Sequence, residues 1–170
     1  MMPSIDDRLG SMARAVQEAI LPALDSTQSL AIEQAQLLLA HIAMIRCQLD
    51  FAPDFERTEA AELASLAREL LQEGQGGAMT MAACQALNSA LSAATFDQIA
   101  DVRRTTASLG DAIEALIDAS GTDGDASFKE ASFKKVIDAG RIAATRDRSW
   151  FQPAGFEAVD VQLPSAASVI

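Results

Sequence analysis

Apolar residues recur at helical spacing along most of the chain, and the longest such pattern lies between Ser29 and Asp50. At 100° per residue, one stripe of this segment has apolar residues spaced four or three apart, and a second stripe lies about 120° away. This pattern predicts one long helix, buried on most sides, that forms the central rod of a bundle. The first stripe holds Ala31, Ala35, Leu38, Ile42, Ile45 and Leu49, and the second holds Leu30, Leu37 and Met44.

A row of polar residues, Gln34, His41 and Gln48, lies between these two stripes at a spacing of seven. Buried polar groups need partners, because leaving one unpaired costs about 1–3 kcal/mol. We therefore interpret His41 first as an interior or partly interior histidine with a hydrogen-bond partner. A contact in a ligand pocket and a catalytic base are the two alternatives. With Met44 beside it, the row is the candidate ligand-binding site.

Similar patterns predict four or five further helices joined by short connections. The residues from Ile99 to Leu116 show a second seam with spacings of three and four. Pro22 is expected to end or kink the first helix, because proline supplies no backbone N–H. The last helix is expected to turn Phe133, Val136, Ile137, Gly140 and Ala144 inward. Polar pairs typical of helix N-termini are Ser4 with Asp7, Thr95 with Gln98, and Ser127 with Glu130.

The composition favours helices throughout, with 34 alanines and only eight aromatic residues, none of them tyrosine. Short connections favour antiparallel neighbours. We predict an all-α, mostly antiparallel bundle of five or six helices over residues 1–148. Residues 149–170 lack helical periodicity, and we expect an extended C-terminal tail that docks on the bundle or on a partner subunit. Its candidate anchor or partner contact is Trp150, Phe151 and Phe156, because aromatic residues are enriched in interface cores.

Charge and cysteine content narrow the possible partners and location. The net charge of −11 argues against nucleic-acid binding, which depends on basic residues. No span of 18 apolar residues is present, so we expect no transmembrane helix and no membrane partner. The N-terminus has no signal-peptide pattern. Cys47 and Cys84 form no CxxC motif, and we expect both to be small core residues of a reduced, cytoplasmic protein.

No residue pattern indicates a catalytic, metal or cofactor site. Asp123-Gly124 followed by Glu130 matches the end of a calcium loop, but Ala119 and Gly121 occupy the earlier ligand positions. Calcium needs six to eight oxygen ligands, so we interpret this segment as a capped turn. We expect no cofactor and no metal.

Three function classes remain. The preferred one is a non-enzymatic helical interaction module, either a homodimer or an accessory subunit of another protein. The second is a bundle that binds a small apolar or amphipathic ligand in a pocket near Gln34, His41 and Gln48, because such pockets are apolar with a few placed polar groups. An enzyme is the third, and it would need another acid or base brought beside His41 by folding.

Overall fold

The computed structural model describes residues 2–154 and 160–169. Over these residues the chain forms six helices and no strand, which confirms the predicted all-α helical bundle fold. The helices are α1 (Ile5–Ala15), α2 (Ser29–Gln48), α3 (Ala52–Glu73), α4 (Ala78–Ser92), α5 (Ile99–Asp123) and α6 (Ala126–Phe151). Shorter helical turns lie at Val16–Ile20, Leu21–Ala23, Gln152–Ala154 and Ala166–Ser168.

The start and end of the first helix follow the predicted local signals. The Ser4 hydroxyl accepts a hydrogen bond from the Asp7 N–H at 3.0 Å, and the Asp7 carboxylate accepts one from the Ser4 N–H at 3.0 Å. Helix α1 continues through a π-helical turn at Val16–Ile20 and ends with the short helix Leu21–Ala23. The widened turn ends two residues before Pro22, whose ring would meet the carbonyl four residues earlier in a regular helix.

The other two predicted capping pairs are wrong. Helix α5 begins at Ile99 without a side-chain cap. Thr95 is instead bound to Thr105, whose hydroxyl accepts from the Thr95 N–H at 3.1 Å and donates to its carbonyl at 3.0 Å. Helix α6 begins at Ala126, so Ser127 lies inside its first turn. In the first of these cases, a partner ten residues away replaced the local one.

Contacts divide the chain into two compact units. The first unit is Met1–Ala52 with Asp147–Val169, and the second is Pro53–Arg146. Helix α6 continues through Phe151, so the predicted boundary after residue 148 falls inside a helix. Docking of the residues beyond this helix stays a prediction.

The first unit has few buried apolar side chains. Helices α1 and α2 are joined by a bidentate ion pair in which the Arg46 Nε lies 2.6 Å from Asp6 Oδ1 and Nη2 lies 2.9 Å from Oδ2. The Arg46 guanidinium lowers the pKa of Asp6. Among the described residues of this unit, the buried apolar side chains are Val16, Ala35, Ile42 and Trp150.

The second unit contains the larger core. Helices α3 to α6 all contribute, and the predicted seam of α5 is buried at Val102, Leu109, Ile113 and Leu116. Helices α3 and α5 are further joined by Arg103 and Glu56, whose two nitrogen–oxygen distances are 2.6 and 2.7 Å. The core consists of Ala64, Leu66, Ala67, Leu70, Cys84, Leu87, Leu109, Ile113, Leu116 and Phe128.

The inward face of α6 is not the one that the sequence predicted. Phe133 is 68% exposed, and Ile137, Gly140 and Ala144 are exposed as well. Val136 alone of the predicted set is half-buried. The buried face of this helix contains several polar residues, so the pattern of apolar residues in the sequence did not predict which face is buried. Its buried residues are Phe128, Ser132, Arg146, Ser149 and Trp150.

Helices α4 and α5 are antiparallel neighbours, and their paired ends meet in a backbone clasp. The Gly77 N–H donates to the Asp123 carbonyl at 2.8 Å, and the Asp125 N–H donates to the Gln75 carbonyl at 3.1 Å. Gly76 lies opposite Gly124 in an isolated antiparallel bridge. The glycine-rich segment 74–77 is thus hydrogen-bonded to the turn after α5.

Asp123 caps a helix other than its own. Its carboxylate accepts from the Met79 N–H at 2.8 Å, the Thr80 N–H at 2.9 Å and the Thr80 hydroxyl at 2.6 Å. The Thr80 hydroxyl, together with these two backbone N–H groups, lowers the pKa of Asp123. The capped turn predicted at this position is therefore a cap for α4, supplied from 43 residues further along the chain.

Candidate interaction surfaces

Helix α2 is exposed over most of its surface, so its predicted role as a buried central rod is wrong. Only Ala35 and Ile42 are buried along its 20 residues. The other elements of the first unit cover one side of the helix and leave the opposite side open. Apolar periodicity shows which residues of a helix favour burial, but it does not show whether other helices of the same chain pack against them.

The predicted polar row lies on the open side of α2. Gln34 and His41 are exposed, and Met44 is half-buried. Gln48 is also half-buried, and its Nε2 donates to the Trp150 carbonyl at 3.0 Å. The interior position predicted for His41 is therefore wrong, and binding of a ligand by this row stays a prediction.

The aromatic residues near the C-terminus have different environments. Trp150 is buried at 8% exposure, within the first unit, whereas Phe151 is 48% exposed. Phe156 lies outside the described residues. The Trp150 side chain is thus largely hidden from solvent, and its role as an anchor stays a prediction. A partner contact through Phe151 or Phe156 stays a prediction.

Exposed apolar residues lie on both sides of the polar row on the open side of α2. Leu37 points away from the buried residues, and the exposed apolar residues flank Gln34 and His41 on both sides. Charge is scarce, since Glu33 and Arg46 are the only charged residues in the helix. We call this surface the α2 face; it comprises Leu30, Leu37, Leu38 and Ile45, which are 69%, 42%, 48% and 44% exposed.

Helix α2 is also the one helix among the described residues that is long and apolar enough to cross a membrane. No such helix was predicted from the sequence. The length and composition of α2 alone place it in this class. The helix contains three glutamines besides Glu33, His41 and Arg46, and charged or polar groups at bilayer depth are expensive.

The cysteines do not share the predicted environment. Cys84 is buried in the core of the second unit, and burial raises the pKa of its thiol. Cys47 is exposed, so its predicted position in a core is wrong. It lies near the end of α2, beside the open side of that helix.

The second unit has a groove between α3, α5 and α6 with a cavity volume of about 750 Å³. Its floor is formed by the core residues Leu66 and Ile113 and by half-buried apolar residues that pack against the core. The groove is named here the α3–α5–α6 groove. Its apolar lining is Leu63, Leu66, Ile113, Ile117, Val136, Ala139, Ile142 and Ala143.

Carboxylates dominate the rim of this groove. Two cations are present, and both are engaged: Arg146 pairs with Glu62, while the Lys135 Nζ lies 3.4 Å from Glu69 Oε2. Arg146 is buried, and its guanidinium carbon lies 5.0 Å from the centre of the Phe55 ring. Six acidic residues line the groove: Glu59, Glu62, Glu69, Glu114, Asp118 and Asp138.

Sequence reasoning missed this groove, because its parts come from three helices. A weak local signal was present in Gly110 and Gly140, which interrupt helical patterns that otherwise contain good helix formers. Both residues line the groove. Glu59, Glu62 and Glu69 of α3 lie at the edge of this apolar cavity.

Among the residues that the structure describes, no group of three histidine, cysteine or acidic side chains could hold a metal ion. Comparison with family models, with curated proteins and with solved structures found no match for this chain. Its function must therefore be inferred from its own surfaces.

Proposed function

We propose that this protein is a non-enzymatic helical interaction module that self-associates through the α2 face. The observation that carries the proposal is that a 20-residue apolar helix buries only two of its residues. Exposed apolar surfaces of this kind mark interaction sites in soluble proteins. A second copy is the occupant that best fits a face where charge is scarce, since each copy as a whole is strongly acidic.

The area available supports a weak dimer. The exposed fractions of Leu30, Leu37, Leu38 and Ile45 together amount to about two fully exposed side chains. Burying each such side chain is worth about 1.5–3 kcal/mol, so two copies gain about 6–12 kcal/mol. Association itself costs about 4–15 kcal/mol. At the favourable ends of both ranges the net gain is about 8 kcal/mol, which corresponds to a Kd near 1 μM, so a dimer formed through this face is reversible and not permanent.

Leu37→Gln tests this proposal, because Leu37 lies near the middle of the α2 face. Its exposed fraction of 42% corresponds to about 1–2.5 kcal/mol over two copies. The dimer should therefore weaken between about fivefold and sixtyfold. Sedimentation velocity over a range of protein concentrations measures this change directly.

Phe133→Gln provides the matched control, since Phe133 is a more exposed apolar side chain on α6. It should leave the dimer unchanged. A wild-type protein that stays monomeric at millimolar concentration would overturn self-association. If such a monomer forms a complex with another protein that Leu37→Gln disrupts, the module is an accessory subunit; if it partitions onto lipid vesicles, α2 contacts a membrane.

A further inference from the structure

We propose that the α3–α5–α6 groove binds a small amphipathic cation, with its apolar part on the floor and its charged group at the acidic rim. The groove belongs entirely to the second unit and is separate from the α2 face. Its volume of about 750 Å³ lies within the range of about 300–1,000 Å³ that is usual for small-molecule sites. This proposal does not depend on self-association.

The charge on the rim is the first argument for a cation. Within the described residues, Glu59, Glu114 and Asp118 form no ion pair, whereas both cations of the groove already have carboxylate partners. Glu114 and Asp118 are four residues apart on α5, where like charges destabilise a helix. A ligand that brings a positive charge to this position would remove that repulsion.

The second argument is the room left by two glycines. Gly110 on α5 and Gly140 on α6 lie inside their helices, where glycine is destabilising by about 0.5–1 kcal/mol relative to alanine. A Cβ atom at either position would have no neighbouring atom within 4 Å, so packing does not require glycine there. Because both residues line the groove, the absence of side chains at these positions adds to its open volume.

The apolar floor defines the other half of the ligand. Leu63, Ile117 and Val136 are partly buried side chains that pack against the core and remain open to the groove. An inorganic cation would gain nothing from such a surface. A cation attached to an aliphatic or aromatic body gains from both parts, and an anion of the same shape meets the uncompensated carboxylates.

A titration with two matched amphiphiles tests the proposal. Decyltrimethylammonium and decanoate have the same alkyl chain and opposite charges, and both are used below the concentration at which they form micelles. Backbone amide NMR shifts report where each one binds. The cation should shift amides around Ile113, Val136 and Ala139, and decanoate should bind at least about tenfold more weakly.

Two sets of variants assign the effect to the groove. Glu114→Gln with Asp118→Asn should weaken binding of the cation about tenfold, or about threefold for each change. Asp111→Asn, which removes the same charge from α5 outside the groove, should change it less than twofold. Gly110→Leu with Gly140→Leu should abolish binding, while Gly121→Leu, at another open helical position, should preserve it.

Three outcomes would overturn the proposal. Equal binding of decanoate would show that charge is not recognised. Unchanged affinity in the Glu114→Gln, Asp118→Asn double variant would place the cation elsewhere. Without either amphiphile, amide shifts at the groove could change with protein concentration. That result would show that the groove is a contact between copies of the chain. The charge variants are surface changes, so these results do not depend on the leucine variants folding.

Discussion

The clasp between α4 and α5 makes a sharp prediction for Gly76→Ala. A Cβ atom at position 76 would lie 2.7 Å from the Gly124 Cα, 2.9 Å from the Asp123 carbonyl oxygen and 2.9 Å from the Thr80 Cβ. Carbon atoms pack at about 3.5–4.0 Å. None of these three atoms is the mobile end of a side chain, so the two backbone segments must separate.

Separation by about 1 Å would break the two backbone hydrogen bonds of the clasp, which are now 2.8 and 3.1 Å long. Each is worth about 0.5–1.5 kcal/mol, a loss of about 1–3 kcal/mol. Alanine restricts the unfolded chain and returns about 0.4–1 kcal/mol. The net loss in the free energy of unfolding is about 0–2.6 kcal/mol, with a central value of about 1.3 kcal/mol. For a domain of 60–100 residues, Tm should fall by about 4–8 °C per kcal/mol.

Urea unfolding followed by far-UV circular dichroism measures the loss, and scanning calorimetry measures the Tm. Gly110→Ala is the matched control, because a Cβ there has open space and the helix should gain about 0.5–1 kcal/mol. The two substitutions are chemically identical and should have opposite signs. A Gly76→Ala protein as stable as the wild type, beside a stabilised Gly110→Ala, would refute the proposed crowding.

Two further predictions concern charge. The lowered pKa of Asp123 means that its contribution to stability is complete above its unfolded pKa of about 3.9 and is lost as pH falls through the lower folded pKa. Asp123→Asn should therefore flatten the acid side of the stability profile measured by urea unfolding, and a parallel profile would contradict this. Added salt should strengthen the proposed dimer, which sedimentation velocity measures, and weaken binding of decyltrimethylammonium, which NMR titration measures. A dimer that weakens with salt would contradict the self-association proposal, and cation binding that strengthens with salt would contradict the groove proposal.

Features determined within one helix could be predicted from the sequence. Helix α2 was predicted from Ser29 to Asp50 and runs from Ser29 to Gln48, because apolar periodicity is a property of the helix itself. The Ser4–Asp7 cap formed because the two residues are three apart and no other partner competes. The buried seam of α5 was predicted for the same reason as α2.

Features determined by partners distant in sequence could not be predicted. Thr95 binds Thr105 instead of Gln98, and Asp123 caps a helix that begins 45 residues earlier. The burial of α2 and α6 likewise depends on which neighbours cover each side. The groove depends on three helices meeting, and only its two glycines left any trace in the sequence.

The distribution of charge separates the two proposed surfaces and explains their opposite response to salt. Two copies that each carry a charge of −11 repel one another, so they can associate only where charge is scarce, as on the α2 face. Screening reduces this repulsion. The α3–α5–α6 groove has an excess of carboxylates, which attract a cation through the same long-range force that salt weakens. A second copy is therefore favoured at α2 and disfavoured at the groove.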